Sequence, residues 1–249
     1  MEQQIQDKVN VWLQGNYDED TKAVIRKLQA EGNDTELTDS FYRNLEFGTG
    51  GLRGTMGAGS NRMNKYTVGM ATQGLSNYLK KSFPEQELSV AIAHDSRNNS
   101  PFFAQTAADV FSANGIKVYF FTSLRPTPEL SFTIRHFGCQ SGIVLTASHN
   151  PKEYNGYKAY WNDGAQMISP HDTNVIAEVE SIAGIDDVKW QGDPSKIVLI
   201  DEEVDSAYLE YAAGLSVDKE VIKRNHDINI VYTPIHGTGI TLVPRLLAK

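Results

Sequence analysis

Apolar residues along this chain recur at two spacings, one helical and one in short continuous runs, and their alternation predicts α/β layering. Near the start Ile5, Val9, Trp12 and Leu13 fall at i, i+4, i+7 and i+8, and Val24, Ile25 and Leu28 repeat that period. Phe41, Tyr42 and Leu45 close a helical lead-in over residues 1–45. From Gly48 to Gly59 the chain is too glycine-rich for a helix or a long strand, and Asn64 then stands as the N-cap of a helix over 66–81. A buried strand over 88–94 runs into the loop Asp95-Ser96-Arg97, and Ser100-Pro101 opens a helix that stops before Gly115. A strand over 116–121, a helix from Thr127-Pro128 to Gly138 and a third strand over 143–145 follow.

Past the turn residues Asn162-Asp163-Gly164, Ser169-Pro170 opens a helix to about 182, and 184–195 is a polar connector. A strand over 197–200, a helix around 208–213 and a strand over 228–232 then predict a new unit. The expected architecture is a three-layer α/β/α domain with a mixed, mainly parallel sheet over 46–195. A helical extension over 1–45 precedes it, and an incomplete second α/β domain over 196–249 follows. The closing helix, with Leu242, Val243, Leu246 and Leu247, offers an apolar end that invites association, while the oligomeric state stays open.

Composition narrows the partners. A net charge of −8 argues against nucleic acid and against an anionic membrane surface, and no apolar stretch approaches the length of a membrane span. Met1 opens on Glu2-Gln3-Gln4 without a basic or apolar leader, so a cytoplasmic location is expected. Cys139 is the single cysteine and reads as a small core residue, not a nucleophile. Against the acidic background, Arg53, Arg62, Lys65, Arg97, Arg125, Lys152 and Lys158 lie in or beside Gly-, Pro- or Asn-rich loops suited to gripping a small anion.

The chemistry centres on Thr146-Ala147-Ser148-His149-Asn150-Pro151, which puts one hydroxyl on a turn directly after an apolar strand. Asn155-Gly156 then predicts a turn that returns the chain through Tyr157-Lys158, bringing the amine of Lys158 near Ser148. An esterase elbow is disfavoured, because no glycine flanks the serine at the required spacing. His149 is poorly placed as a base for its neighbour, since adjacent side chains in extended chain point to opposite sides. The glycine cluster matches neither nucleotide motif, but its N–H groups and Arg53 suit phosphate.

Taken together, the Ser148 loop with Asn155-Gly156-Tyr157-Lys158 resembles the phosphoserine loop of the α-D-phosphohexomutases, the phosphoglucomutases and phosphomannomutases. Phe47-Gly48-Thr49-Gly50-Gly51-Leu52-Arg53-Gly54 and Ala58-Gly59-Ser60-Asn61-Arg62-Met63-Asn64 resemble the branch that includes phosphopentomutases, apart from Gly50, where alanine is usual.

The resemblance implies a phosphosugar mutase that moves phosphate between C1 and C6 of a hexose, or C5 of a pentose, through a phosphoserine and a bisphosphorylated intermediate. Ser148 is then the carrier, Lys158 a proton donor or acceptor, Arg53 a stabiliser of the transferring group and His149 a loop contact. Arg62, Arg97, Asn150 and Asn155 are the candidates for holding phosphate. It also implies Mg²⁺, bound to Ser148 through its phosphate, and glucose 1,6-bisphosphate as activator, with sugar phosphates as the small-molecule partners. Lys158 needs a lowered pKa to act at neutral pH; otherwise it is an electrostatic clamp. The family's metal, sugar and distal-phosphate loops have no counterpart here. The chain is therefore expected to be the N-terminal part of a mutase with little activity alone. A noncatalytic phosphosugar-binding fragment and a phosphatase using the same serine are the alternatives.

Overall fold

The computed structural model of the chain describes residues 2–48 and 50–249, so Thr49 of the glycine-rich motif lies outside the described residues. Helices α1 (Gln3–Gln14), α2 (Glu19–Ala30) and α3 (Asp34–Phe41) lead into strand β1 (Gly51–Thr55) and helix α4 (Lys65–Ser82). Then come β2 (Ser89–His94), α5 (Ser100–Ala113), β3 (Lys117–Phe121), α6 (Thr127–Phe137), β4 (Ser141–Leu145), β5 (Tyr154–Trp161) and α7 (His171–Glu180). Strand β6 (Ile197–Ile200), α8 (Glu202–Gly214), α9 (Lys219–Arg224) and α10 (Val243–Leu247) complete the order. As expected, Asn64 caps α4: its side chain accepts from the Tyr66 and Thr67 amides, and the Thr67 hydroxyl accepts in return from the Asn64 amide.

The strands form one sheet in the order β1-β5-β4-β2-β3-β6, with β4, β2, β3 and β6 mutually parallel and β5 antiparallel to both β1 and β4. Side chains alternate between its faces. Val90 and Ile92 of β2 and Ile143 and Leu145 of β4 enter one core with α4, α5 and α7, while Ala91, Ala93 and Val144 face the other with α6 and α8. This is the expected three-layer, mainly parallel arrangement. The lead-in helices dock on the start of α4, where Trp12 and Phe41 pack with Tyr66, whose hydroxyl donates to Asp18 Oδ2 at 2.6 Å. Val24, expected on the packed stripe, faces solvent instead.

Three local features differ from the sequence reading. Strand β6 pairs with β3 and edges the first sheet, so no break in the sheet falls at 195. Residues 228–232 form no strand: Ile228, Ile230 and Val231 are exposed and have no neighbouring strand to pair with. The pair Asn155-Gly156 is not a turn but lies inside β5, between β1 and β4. Glycine is needed there because a Cβ would come within 2.6 Å of the Thr146 carbonyl oxygen and 2.9 Å of that of Leu52. Both contacts are backbone, in the chain on either side, and neither can swing away. Gly156→Ala is therefore expected to lower the unfolding free energy in urea titrations by about 1–3 kcal/mol; an unchanged midpoint would show that the strands separate freely.

Candidate active site

Parallel strands place their carboxyl ends together, and chain leaving such an end is where α/β sheets usually bind ligands. Strand β4 is wholly buried and runs parallel to β2, and it delivers Thr146, Ala147 and then Ser148 at the sheet's rim. The return is β5, whose antiparallel register sets Val144 opposite Lys158 and Leu145 opposite Tyr157. The intervening turn curls back over that ladder. Ser148 adopts φ +53°, its amide donates to Thr146 Oγ1 at 3.1 Å, and the Asn150 amide donates to the Ala147 carbonyl at 3.0 Å. The exposed Ser148 hydroxyl then accepts from Lys158 Nζ at 3.0 Å.

Strand β1 brings the guanidinium. Arg53 lies opposite Gly156, and its Nη1 donates to Asn150 Oδ1 at 3.3 Å, so strand β1 ties its guanidinium to the turn that carries Ser148. Burial pushes the Lys158 amine below its usual range, the nearby Arg53 cation lowers it further, and Asp95 acts in the opposite direction. An open cavity of about 350 Å³ adjoins the pair, lined among others by Gly48, Gly50, Gly51, Arg53, Lys158 and Gln166. Gly51 must be glycine: at φ +151° a Cβ there would lie 1.8 Å from the Tyr157 carbonyl oxygen. A nucleophilic oxygen, an amine of lowered pKa and a guanidinium beside a polar cavity can move a group between oxygens and neutralise the charge that develops.

The structure does not bring every candidate to this point. His149 is exposed on the same turn, but the amine on the serine oxygen belongs to Lys158. Arg62 is buried, and its Nη2 donates to Asp39 Oδ2 at 2.6 Å and Glu36 Oε1 at 2.8 Å, tying the glycine-rich segment to α3. Asn155 is buried as well; its Nδ2 donates to the Asn98 carbonyl at 3.0 Å and Ser100 Oγ at 2.9 Å, which leaves it turned away from a ligand at Ser148. Arg97 lies against the turn, bonded to its backbone carbonyls. Thr146, Asp95 and Gln166 were not singled out from the sequence. The Asp95-Ser96-Arg97 loop at the end of a strand was the available signal, but nothing local says that β2 is the sheet neighbour of β4.

Among the described residues no group of three or more His, Cys, Asp or Glu side chains is arranged to hold a metal ion. Around Ser148 the donors are a hydroxyl and a neutral amide between two cationic side chains, a set that does not fit a hard divalent cation. No helix among the described residues is long and apolar enough to cross a membrane.

Comparison with known proteins places the chain in a family. Residues 44–185 match the family model described as phosphoglucomutase/phosphomannomutase, alpha/beta/alpha domain I. The chain is 36% identical to human phosphopentomutase over 93% of its own length and 40% of that protein's. It is 35% identical to a probable phosphoribomutase of Schizosaccharomyces pombe, over 98% of this chain and 42% of the other. A putative phosphomannomutase from Thermus thermophilus superposes with a TM-score of 0.62 at 26% identity, over 72% of this chain and 38% of that one. The chain thus spans about 40% of the length of the curated relatives it matches.

Proposed function

The chain belongs to the phosphoglucomutase/phosphomannomutase family, and we propose that it carries the phosphoserine centre of a phosphosugar mutase, over residues 46–195 and the sheet edge that β6 adds. The observation that carries this reading is the 3.0 Å contact between Lys158 Nζ and Ser148 Oγ. In the first half-reaction the bond from the serine oxygen to phosphorus breaks, and the free hydroxyl of a sugar monophosphate forms the new one. The proton released from that hydroxyl goes to solvent or a neighbouring base, and Lys158 supplies one to the departing serine oxygen. The bisphosphate then turns end for end, its other phosphoryl passes to Ser148 as Lys158 takes the serine proton back, and the sugar oxygen it leaves takes up a proton from solvent or the neighbouring base. Arg53 offsets charge on the transferring group.

Sugar monophosphates, a hexose or pentose bisphosphate such as glucose 1,6-bisphosphate as activator, and Mg²⁺ belong to the same proposal. The side chains of this chain do not fit a cation by themselves, so no step is assigned to one. A cytoplasmic setting is favoured by the free, buried Cys139, and the acidic balance favours small-molecule partners over nucleic acid. The exposure of Ser148 also favours a second reading, hydrolysis of the phosphoserine by water. Because a chain that spans about 40% of its relatives is expected to turn over little alone, incubation of the intact parent protein with glucose 1-phosphate or ribose 1-phosphate plus the matching bisphosphate separates the two: isomerised sugar supports the mutase, inorganic phosphate alone supports the phosphatase, and neither product contradicts both.

The lowered Lys158 pKa has a testable sign. Its neutral amine, the form that accepts the serine proton, is present at lower pH than for an ordinary lysine, and removing the Arg53 charge raises the pKa. Arg53→Gln should therefore move the half-maximal pH for phosphoryl capture by Ser148 upward as well as slowing it. A slower reaction with an unmoved profile would show that Arg53 does not act on the amine.

A further inference from the structure

An L-residue in the left-handed region is strained and persists where its surroundings over-determine it. Ser148 is such a residue, at φ +53°. Its own turn supplies the amide bonds to Thr146 and Ala147 described above and one from the Tyr154 amide to the Pro151 carbonyl at 3.0 Å. The larger constraint comes from the neighbouring loop. Arg97 Nη2 donates to the carbonyls of Ser148 at 2.7 Å and Asn150 at 2.5 Å, and Nη1 donates to those of Pro151 at 2.9 Å and Tyr154 at 3.2 Å. Nε lies 3.5 Å from Asp95 Oδ2. Every nitrogen of the guanidinium is thus engaged.

The anchor is itself fixed. Asp95 Oδ1 accepts the Arg97 amide at 2.9 Å and the Ser100 hydroxyl at 2.7 Å, and the Asp95 amide donates to the Leu145 carbonyl at 3.1 Å. Constraint therefore runs from the last residue of β4, through Asp95 and Arg97, back to the turn that β4 leads into. The side chains of Arg97 and Asp95 are 14% and 12% exposed, and the bonds to the Asn150 and Tyr154 carbonyls are partly buried while those to Ser148 and Pro151 lie at the surface. Four carbonyls gathered on one cation leave the Ser148 hydroxyl to face Lys158.

We infer that Arg97 is a positioning residue, which sets Ser148 Oγ on Lys158 Nζ by holding the carbonyls of Ser148, Asn150, Pro151 and Tyr154 on one planar guanidinium. Its catalytic consequence rests on the phosphoserine reading; the mechanical part does not. Lysine cannot replace it, because an ammonium offers three donors from a single atom and cannot bridge four carbonyls spread along a fork.

The test compares the full chain with Arg97→Lys, and with Asp95→Asn, which keeps the guanidinium but removes the charge of its anchor. Amide hydrogen exchange over residues 147–154 should quicken at least about tenfold in Arg97→Lys while α4 and β2 stay protected. Phosphorylation of Ser148 by glucose 1,6-bisphosphate should slow about 100-fold, the scale of an ångström-sized misplacement, with the bisphosphate concentration for half-maximal rate little changed. A double-mutant cycle with Lys158→Met should be non-additive, since both changes break one contact; a residue that merely stabilises the turn gives additive losses. Unchanged exchange or an additive cycle overturns the inference. If Arg97→Lys does not fold, the exchange rates of Asp95→Asn decide, with faster exchange expected and wild-type rates overturning it. If wild-type chain takes up no phosphoryl group, the phosphoserine reading fails, and exchange alone still decides whether Arg97 holds the turn.

Discussion

Ser148→Ala is expected to abolish phosphoryl capture outright, because the substitution removes the one oxygen that can form the bond. Its effect on folding should be small: the side chain is exposed, its hydroxyl bonds to Lys158, and exposed substitutions usually stay within about 0.5 kcal/mol. Thermal melting within a degree or two of wild type, alongside complete loss of phosphoryl uptake, is the expected pair of results. Loss of both would reduce Ser148 to a structural residue. Uptake that survives would place the acceptor on another side chain.

Lys158→Met should lower the rate of transfer between Ser148 and a sugar monophosphate by about 10²–10⁴-fold, the usual range for losing a positioned acid–base group. The companion Lys158→Arg separates the two roles open to this residue. A guanidinium keeps the positive charge but does not give up its proton near neutral pH. If Lys158 moves a proton, the arginine variant is as slow as the methionine variant and its alkaline rise in rate disappears. If Lys158 is only a clamp, arginine restores most of the rate. The amine's burial and its neighbour Arg53 both lower its pKa, which favours the first outcome. Single-turnover rates measured from pH 6 to about 10 distinguish them.

The centre of the site was legible because it is local. Ser148 and Lys158 are ten residues apart, on the turn after β4 and on the returning β5, so the expected closeness holds although the turn falls over 146–153 and not at Asn155-Gly156. What escaped the sequence depends on pairing between distant segments. Arg62 sits in a glycine-rich run like Arg53, yet its carboxylate partners are 23 and 26 residues upstream on α3, and only the packed structure shows that they claim it. Asn155-Gly156 has the composition of a turn, but its glycine answers the close approach of chain on both sides within the sheet. Arg97 was expected to hold phosphate, and the structure turns its donors onto backbone carbonyls instead. At the other end of the chain the β-branched run over 228–232 had strand propensity without a neighbouring edge, and propensity alone does not make a strand. The helical and parallel-sheet elements were easier, because burial on two faces leaves long apolar runs that composition reveals.

The central claim is that Ser148 Oγ accepts and releases a phosphoryl group. Its most direct test is peptide-mapped mass spectrometry of the chain after exposure to glucose 1,6-bisphosphate with Mg²⁺, followed by a chase with glucose 1-phosphate. One phosphoryl group should appear on Ser148 and leave again in the chase. A chain that stays unmodified, or that carries the group on a different residue, contradicts the account.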